Sequence, residues 1–126
     1  MSQKAYTEDV LRLARENENF RQVLFTTERS QLVLMSLKPG EEIGEEVHPD
    51  GDQILVFVEG EGQAILEDLA SAVGVGELVF VPAGTRHNFR NTGNGSLRLV
   101  TVYSPPEHPP GTVHRTKEEA DAAEES

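Results

Sequence analysis

A chain of 126 residues with no cysteine is long enough to bury one hydrophobic core, and it cannot build thiolate metal sites, catalytic thiols or disulfides. Its net charge of −11, from 22 acidic against 11 basic residues, argues against nucleic acid and anionic membrane as partners and leaves a small-molecule ligand as the expected one. No apolar stretch approaches a membrane span, and the first residues lack the apolar core of a signal peptide, so one cytoplasmic domain with no membrane partner is expected.

In chain order, residues 1–19 read as an N-terminal helical segment. Thr7 can cap a short helix running to Arg15, Glu8 and Asp9 suit its positive end, and Val10, Leu13 and Ala14 share one face. From Phe20 the pattern changes to short apolar runs between turns. The expected strands are Gln22 to Thr26, Gln31 to Leu37, Ile54 to Glu59, Gln63 to Glu67, Leu78 to Val81, His87 to Asn91 and Leu97 to Tyr103. Turns are explicit in Lys38-Pro39-Gly40, Pro49-Asp50-Gly51-Asp52, Glu59-Gly60-Glu61-Gly62 and Asn91-Thr92-Gly93-Asn94-Gly95. This spacing predicts an all-β sandwich or barrel over residues 20–104.

Residues 105–126 differ in composition. Ser104 to His114 forms an extended, proline-stiffened arm carrying His108 and His114, and it leads into an acidic tail. Thr116 and Glu119 can form a capping box for a helix of about ten residues, a length that is marginal in isolation. One reading is a frayed, solvated tail. The other is an arm that crosses the barrel or a partner subunit, with His108 or His114 near its mouth.

The run from Gly76 to Asn91 fixes five residues in the spacing G-x5-P-x-G-x2-H-x3-N: Gly76, Pro82, Gly84, His87 and Asn91. Gly76 permits a turn, the run to Val81 makes a strand, Pro82 and Gly84 stop it, and His87 opens the next strand. This resembles the second signature of the cupin superfamily. Upstream, Gly40, Glu46, His48, Gln53 and then Gly60-Glu61-Gly62 stand in the frame of the first signature. The resemblance extends to the small bacterial cupins described as similar to mannose-6-phosphate isomerase. It implies a double-stranded β-helix, or jelly roll, with a divalent metal ion (Fe, Mn, Ni, Co or Zn) inside the barrel near one open end.

The implied metal ligands are Glu46, His48, Gln53 and His87, with Glu46 in place of the family's first histidine and Gln53 in place of its glutamate. The family's usual three imidazoles and one carboxylate carry one negative charge, and so does this set. Glu46 and His48 are two residues apart, so an extended backbone points both to one face and Val47 to the other. Two imidazoles and one carboxylate as strong donors favour Fe(II) or Mn(II). Against this, Glu46 belongs to the acidic run Glu41, Glu42, Glu45, Glu46, Asp50 and Asp52, which can equally be a solvated hairpin end. Gln53 can equally bond backbone or a ligated water. By alternation Phe89 and Asn91 share the face of His87, and Leu55 and Phe57 that of Gln53.

The functions that follow are an enzyme acting on a sugar, sugar phosphate, keto acid or diol, an Fe-dependent dioxygenase, or a non-catalytic ligand- or metal-sensing barrel. No catalytic residue is assigned, although Tyr103 or metal-bound water would have to serve as base in an isomerase. A homodimer is expected, because Gln31 to Leu37 is too apolar for a bare sheet edge.

Overall fold

The computed structural model describes residues 5–125. The first helix, α1 (Val10–Glu16), begins later than expected. Asp9 rather than Thr7 is its N-cap, and the Asp9 carboxylate accepts the Arg12 N–H at 3.3 Å. Asp caps a helix at least as well as Thr. Ala14, 1% exposed, then packs with Leu34, Val58 and Val100 on the outer face of the larger sheet.

That sheet contains β1 (Arg21–Thr26), β2 (Gln31–Leu37), β3 (Asp52–Glu59), β6 (Leu78–Val81), β8 (Leu97–Ser104) and β9 (Val113–His114) in the order β6-β3-β8-β2-β1-β9. The second sheet is β5-β4-β7, formed by β5 (Leu69–Gly74), β4 (Glu61–Leu66) and β7 (His87–Asn91). The strands pair antiparallel, and the two sheets face each other as a jelly roll. Their inner faces meet in one core of Val33, Met35, Leu37, Leu55, Phe57, Ala64, Phe89, Leu97 and Leu99. Phe57 and Phe89 lie with ring centroids 6.0 Å apart across it. The alternation expected from Gln53 and His87 holds, since Leu55, Phe57, Phe89 and Asn91 are all buried.

Two strands had no sequence signal. In β5 the residues Leu-Ala-Ser-Ala-Val-Gly are small and mostly exposed, so no alternation marks them. Its hairpin with β4 turns through Glu67 and Asp68, both at positive φ, where a Gly or Asn would have announced the turn. Strand β9 is two residues long and pairs with β1 through Arg21↔His114 and Gln22↔Val113. Strand β2 lies between β8 and β1 rather than at an edge, and α1 covers its outer face at Leu34. The motive for a homodimer built through that strand is thereby removed.

The tail is not frayed. Thr116 Oγ1 accepts the Glu119 N–H at 3.1 Å and caps α2 (Lys117–Glu125), while Ala120 is 2% exposed in the core cluster with Phe20 and Ile43. Lys117 Nζ lies 3.4 Å from the Ile43 carbonyl. Packing supplies what a helix this short lacks alone. Among the described residues, no helix is long and apolar enough to cross a membrane.

Candidate metal centre

Residues 40–48 run antiparallel to β7 as an irregular strand. Ile43 N–H bonds Phe89 O, and Glu46 and His87 exchange both backbone bonds at 2.9 Å. Gly44 at φ +115 breaks the regular ladder, and its N–H goes to the Asn88 side chain. Glu46 and His48 therefore turn inward while Val47 stays 48% exposed. Gly84 N–H closes the segment onto His48 O, which joins the two signatures at the mouth of the barrel.

This places one donor atom each from Glu46, His48 and His87 within 4.8 Å of one another. The two histidine rings lie 5.1 Å apart, centroid to centroid, with their planes tilted by 47°. His87 Nδ1 lies 2.9 Å from the Thr85 carbonyl. A carbonyl only accepts, so Nδ1 carries the proton and Nε2 keeps its lone pair. His87 Nε2 and His48 Nε2 are both buried with no hydrogen-bond partner. Orphaned buried polar atoms are costly, and two imidazole nitrogens next to a half-buried carboxylate are a donor set that a divalent cation satisfies.

The electrostatics agree with this. Burial pushes the Glu46 carboxyl above its usual range, with His48 and Arg21 pulling it back. Burial lowers the His87 imidazole, partly offset by its bond to Thr85, and His48 lowers it further. The site disfavours bare charge on its own ligands, which a bound cation would relieve.

Gln53 is buried on β3 of the larger sheet, 2% exposed and in register with Tyr103. Its Nε2 donates to Thr101 Oγ1 at 3.0 Å, and Thr101 in turn donates to Ile54 O. The amide is thereby oriented, and its Oε1 remains buried without a partner. Tyr103, also 2% exposed, meets His48 edge-on at 5.9 Å and His108 edge-on at 5.3 Å. Burial raises its phenol far above the ordinary value, which favours the protonated form.

The C-terminal arm reaches the same place, with features its sequence did not announce. Gln31, 1% exposed, accepts the Glu107 and His108 N–H groups on Oε1 and donates from Nε2 to His108 O at 2.6 Å and to Thr26 Oγ1. Glu107 Oε2 is thereby set 3.4 Å from His48 Nδ1. His108 Nε2 is buried and unpartnered, and burial together with Arg21 lowers its imidazole to about 3. His114 Nδ1 is 3.1 Å from the Arg21 guanidinium. A cavity of about 190 Å³ opens beside His48 and Glu107, between Val47, Pro49, Asp50 and Pro105.

Comparison with known proteins agrees with this architecture. Residues 33–103 match the family described as Cupin domain. The Bacillus subtilis protein YrkC, described as uncharacterized, is 41% identical over 128 residues, which cover 97% of this chain and 69% of that protein. The crystal structure of BH2720 from Bacillus halodurans superposes with a TM-score of 0.92 at 40% identity, covering 94% of this chain and 95% of that one. That of TT1209 from Thermus thermophilus gives 0.70 at 30% identity, over 79% and 96% of the two chains. With both signatures meeting at one end of a jelly roll, and the family match spanning more than half of its length, the chain belongs to the cupin family.

Proposed function

We propose that the chain holds one divalent metal ion through Glu46, His48 and His87, with Gln53 Oε1 as a fourth donor, and that this centre binds a small oxygenated metabolite. The observation that carries the reading is the pair of buried, unpartnered atoms His48 Nε2 and His87 Nε2 beside the Glu46 carboxylate, with Gln53 Oε1 also buried and unpartnered on the other sheet. Two imidazoles, one carboxylate and one amide oxygen suit Fe(II) or Mn(II) above softer ions. When bound, such an ion supplies a Lewis acid for a carbonyl or hydroxyl oxygen of the ligand.

The chain's own residues narrow the ligand. With Glu46 read as a donor and burial raising the Tyr103 phenol, a protein base would have to come from the arm, as the Glu107 carboxylate or the neutral His108 imidazole. Tyr103 can instead hold its proton toward a ligand oxygen. The three arginines near the second signature are engaged by carboxylates, Arg86 with Glu45, Glu67 and Asp68, Arg90 with Glu42, and Arg98 with Glu59, whereas buried Arg21 keeps an Nε without a partner. The engagement of Arg86, Arg90 and Arg98 favours an uncharged or carboxylate chelator such as a diol or keto acid, for which a single cation such as Arg21 suffices.

The test is calorimetric titration of the protein, with and without one equivalent of Mn2+, against a small keto acid, a diol and a sugar phosphate. Binding of the keto acid or diol that requires the metal is expected. Equal binding without metal, or tightest binding of the phosphate, contradicts the reading.

A further inference from the structure

Resting on that metal-site reading, we infer that Glu107, delivered by the C-terminal arm, is a positioning residue that holds His48 in the tautomer with its proton on Nδ1 and its Nε2 lone pair turned to the ion. The two histidines are held differently. His87 has its tautomer fixed locally, because Thr85, two residues before it in the tight turn, presents a carbonyl to Nδ1 at 2.9 Å. His48 has no such local carbonyl on its Nδ1. What faces that atom is the Glu107 carboxylate at 3.4 Å, from a segment 59 residues further along the chain.

At 3.4 Å the contact is long for a hydrogen bond. The Glu107 side chain is 41% exposed and free to rotate the remaining fraction of an ångström, whereas His48 is held with 11% exposure. A carboxylate oxygen attracts a ring N–H, and the Glu107 contact at Nδ1, 3.4 Å, is shorter than that of Glu46 Oε1 at Nε2, 4.0 Å. A histidine ligand whose other nitrogen donates to a carboxylate is oriented and made more basic toward a metal.

The arm is built to bring Glu107 there. Gln31 is 1% exposed, sits at the start of β2 in register with Tyr103, and spends both ends of its amide on the arm, with Oε1 taking the N–H groups of residues 107 and 108 and Nε2 giving to the 108 carbonyl. Thr26 Oγ1 takes its remaining N–H at 3.0 Å. Such a fully used, buried amide fixes the backbone on either side of the Glu107 side chain, and the ring of His108 wedges edge-on against Tyr103 to complete the hold. The chain thus closes its own metal site with a residue that neither signature contains.

The experiment is long-range proton–nitrogen NMR on metal-free protein labelled with 15N-histidine, at about pH 8 where an ordinary imidazole is neutral, paired with Zn2+ affinity measured by chelator competition. The wild type should show His48 protonated on Nδ1. Glu107→Ala should lose that preference and weaken Zn2+ binding by ~10–100-fold, while Glu107→Gln, whose amide oxygen still accepts the N–H, keeps the tautomer and recovers part of the affinity. Gln31→Ala should mimic Glu107→Ala with Glu107 still present. Persistence of the Nδ1–H form in Glu107→Ala overturns the inference, and so does an affinity equal to wild type despite a changed tautomer. Should the wild type bind no Zn2+ at all, the metal reading fails, and the NMR arm still decides what Glu107 does to His48.

Discussion

Glu46 and Gln53 are the residues at which this chain departs from its family's usual ligands, and they lead to opposite expectations. Glu46→Gln leaves a bound cation facing neutral donors alone and should weaken Mn2+ or Zn2+ binding substantially, read by competition with a chelator. Gln53→Glu adds a second carboxylate and should tighten it, while making any bound water less acidic. Unchanged affinity in both variants would remove both residues from the site. The sequence pointed to Glu46, His48, Gln53 and His87 because they sit at fixed distances from glycines and a proline whose turn chemistry is local, and the structure brings Glu46, His48 and His87 together. Thr85, Gln31 and Glu107 were not legible. Their roles depend on which backbone atoms the turn and the arm bring beside a histidine ring, and nothing in a Pro-rich stretch says which glutamate will land there.

At the scale of elements, long apolar runs announced themselves and short or exposed ones did not. Strands β2, β6 and β7 lie where alternation put them, whereas β5 hides behind small exposed residues and a Glu67-Asp68 turn with no glycine. The arm and the capped helix α2 were expected, but whether they docked stayed open, because a capped acidic helix looks solvated until Ala120 is seen to be buried. Two consequences can be measured. Gly62 pairs opposite Asn91 so closely that an added Cβ would stand 2.5 Å from the Arg90 carbonyl. Gly62→Ala should therefore cost ~1–3 kcal/mol, seen as a drop in the midpoint of thermal unfolding. The second concerns acid. His108 is held neutral, its pKa lowered from 6.5 to about 3 by burial, Arg21, His114 and His48. The unfolded chain then binds more protons than the folded one between those values, so stability falls as pH drops from about 6.5. His87 acts in the same sense and Glu46, raised by burial, in the opposite one. The melting temperature should fall from about pH 7 to about pH 5, and fall less in His108→Phe, which keeps an aromatic ring against Tyr103 but has nothing to protonate. An equal loss in both proteins would assign the acid sensitivity elsewhere.

Across the whole molecule, the charge of −11 is spread over hairpin ends and the tail, while the barrel interior gathers histidines, a tyrosine and one buried arginine. A dimer expectation loses its first motive once β2 is found inside the sheet. It rests instead on edge strand β6, where Leu78 and Phe80 are 58% and 51% exposed, and light scattering that gives the monomer mass at micromolar concentration would end it. The central claim is that the two signatures converge to hold a metal ion through His48 and His87. Elemental analysis of protein purified without a histidine tag tests it most directly. The account predicts close to one divalent ion per chain in the wild type and almost none in the double variant His48→Ala, His87→Ala; full retention of metal by that folded variant would contradict it.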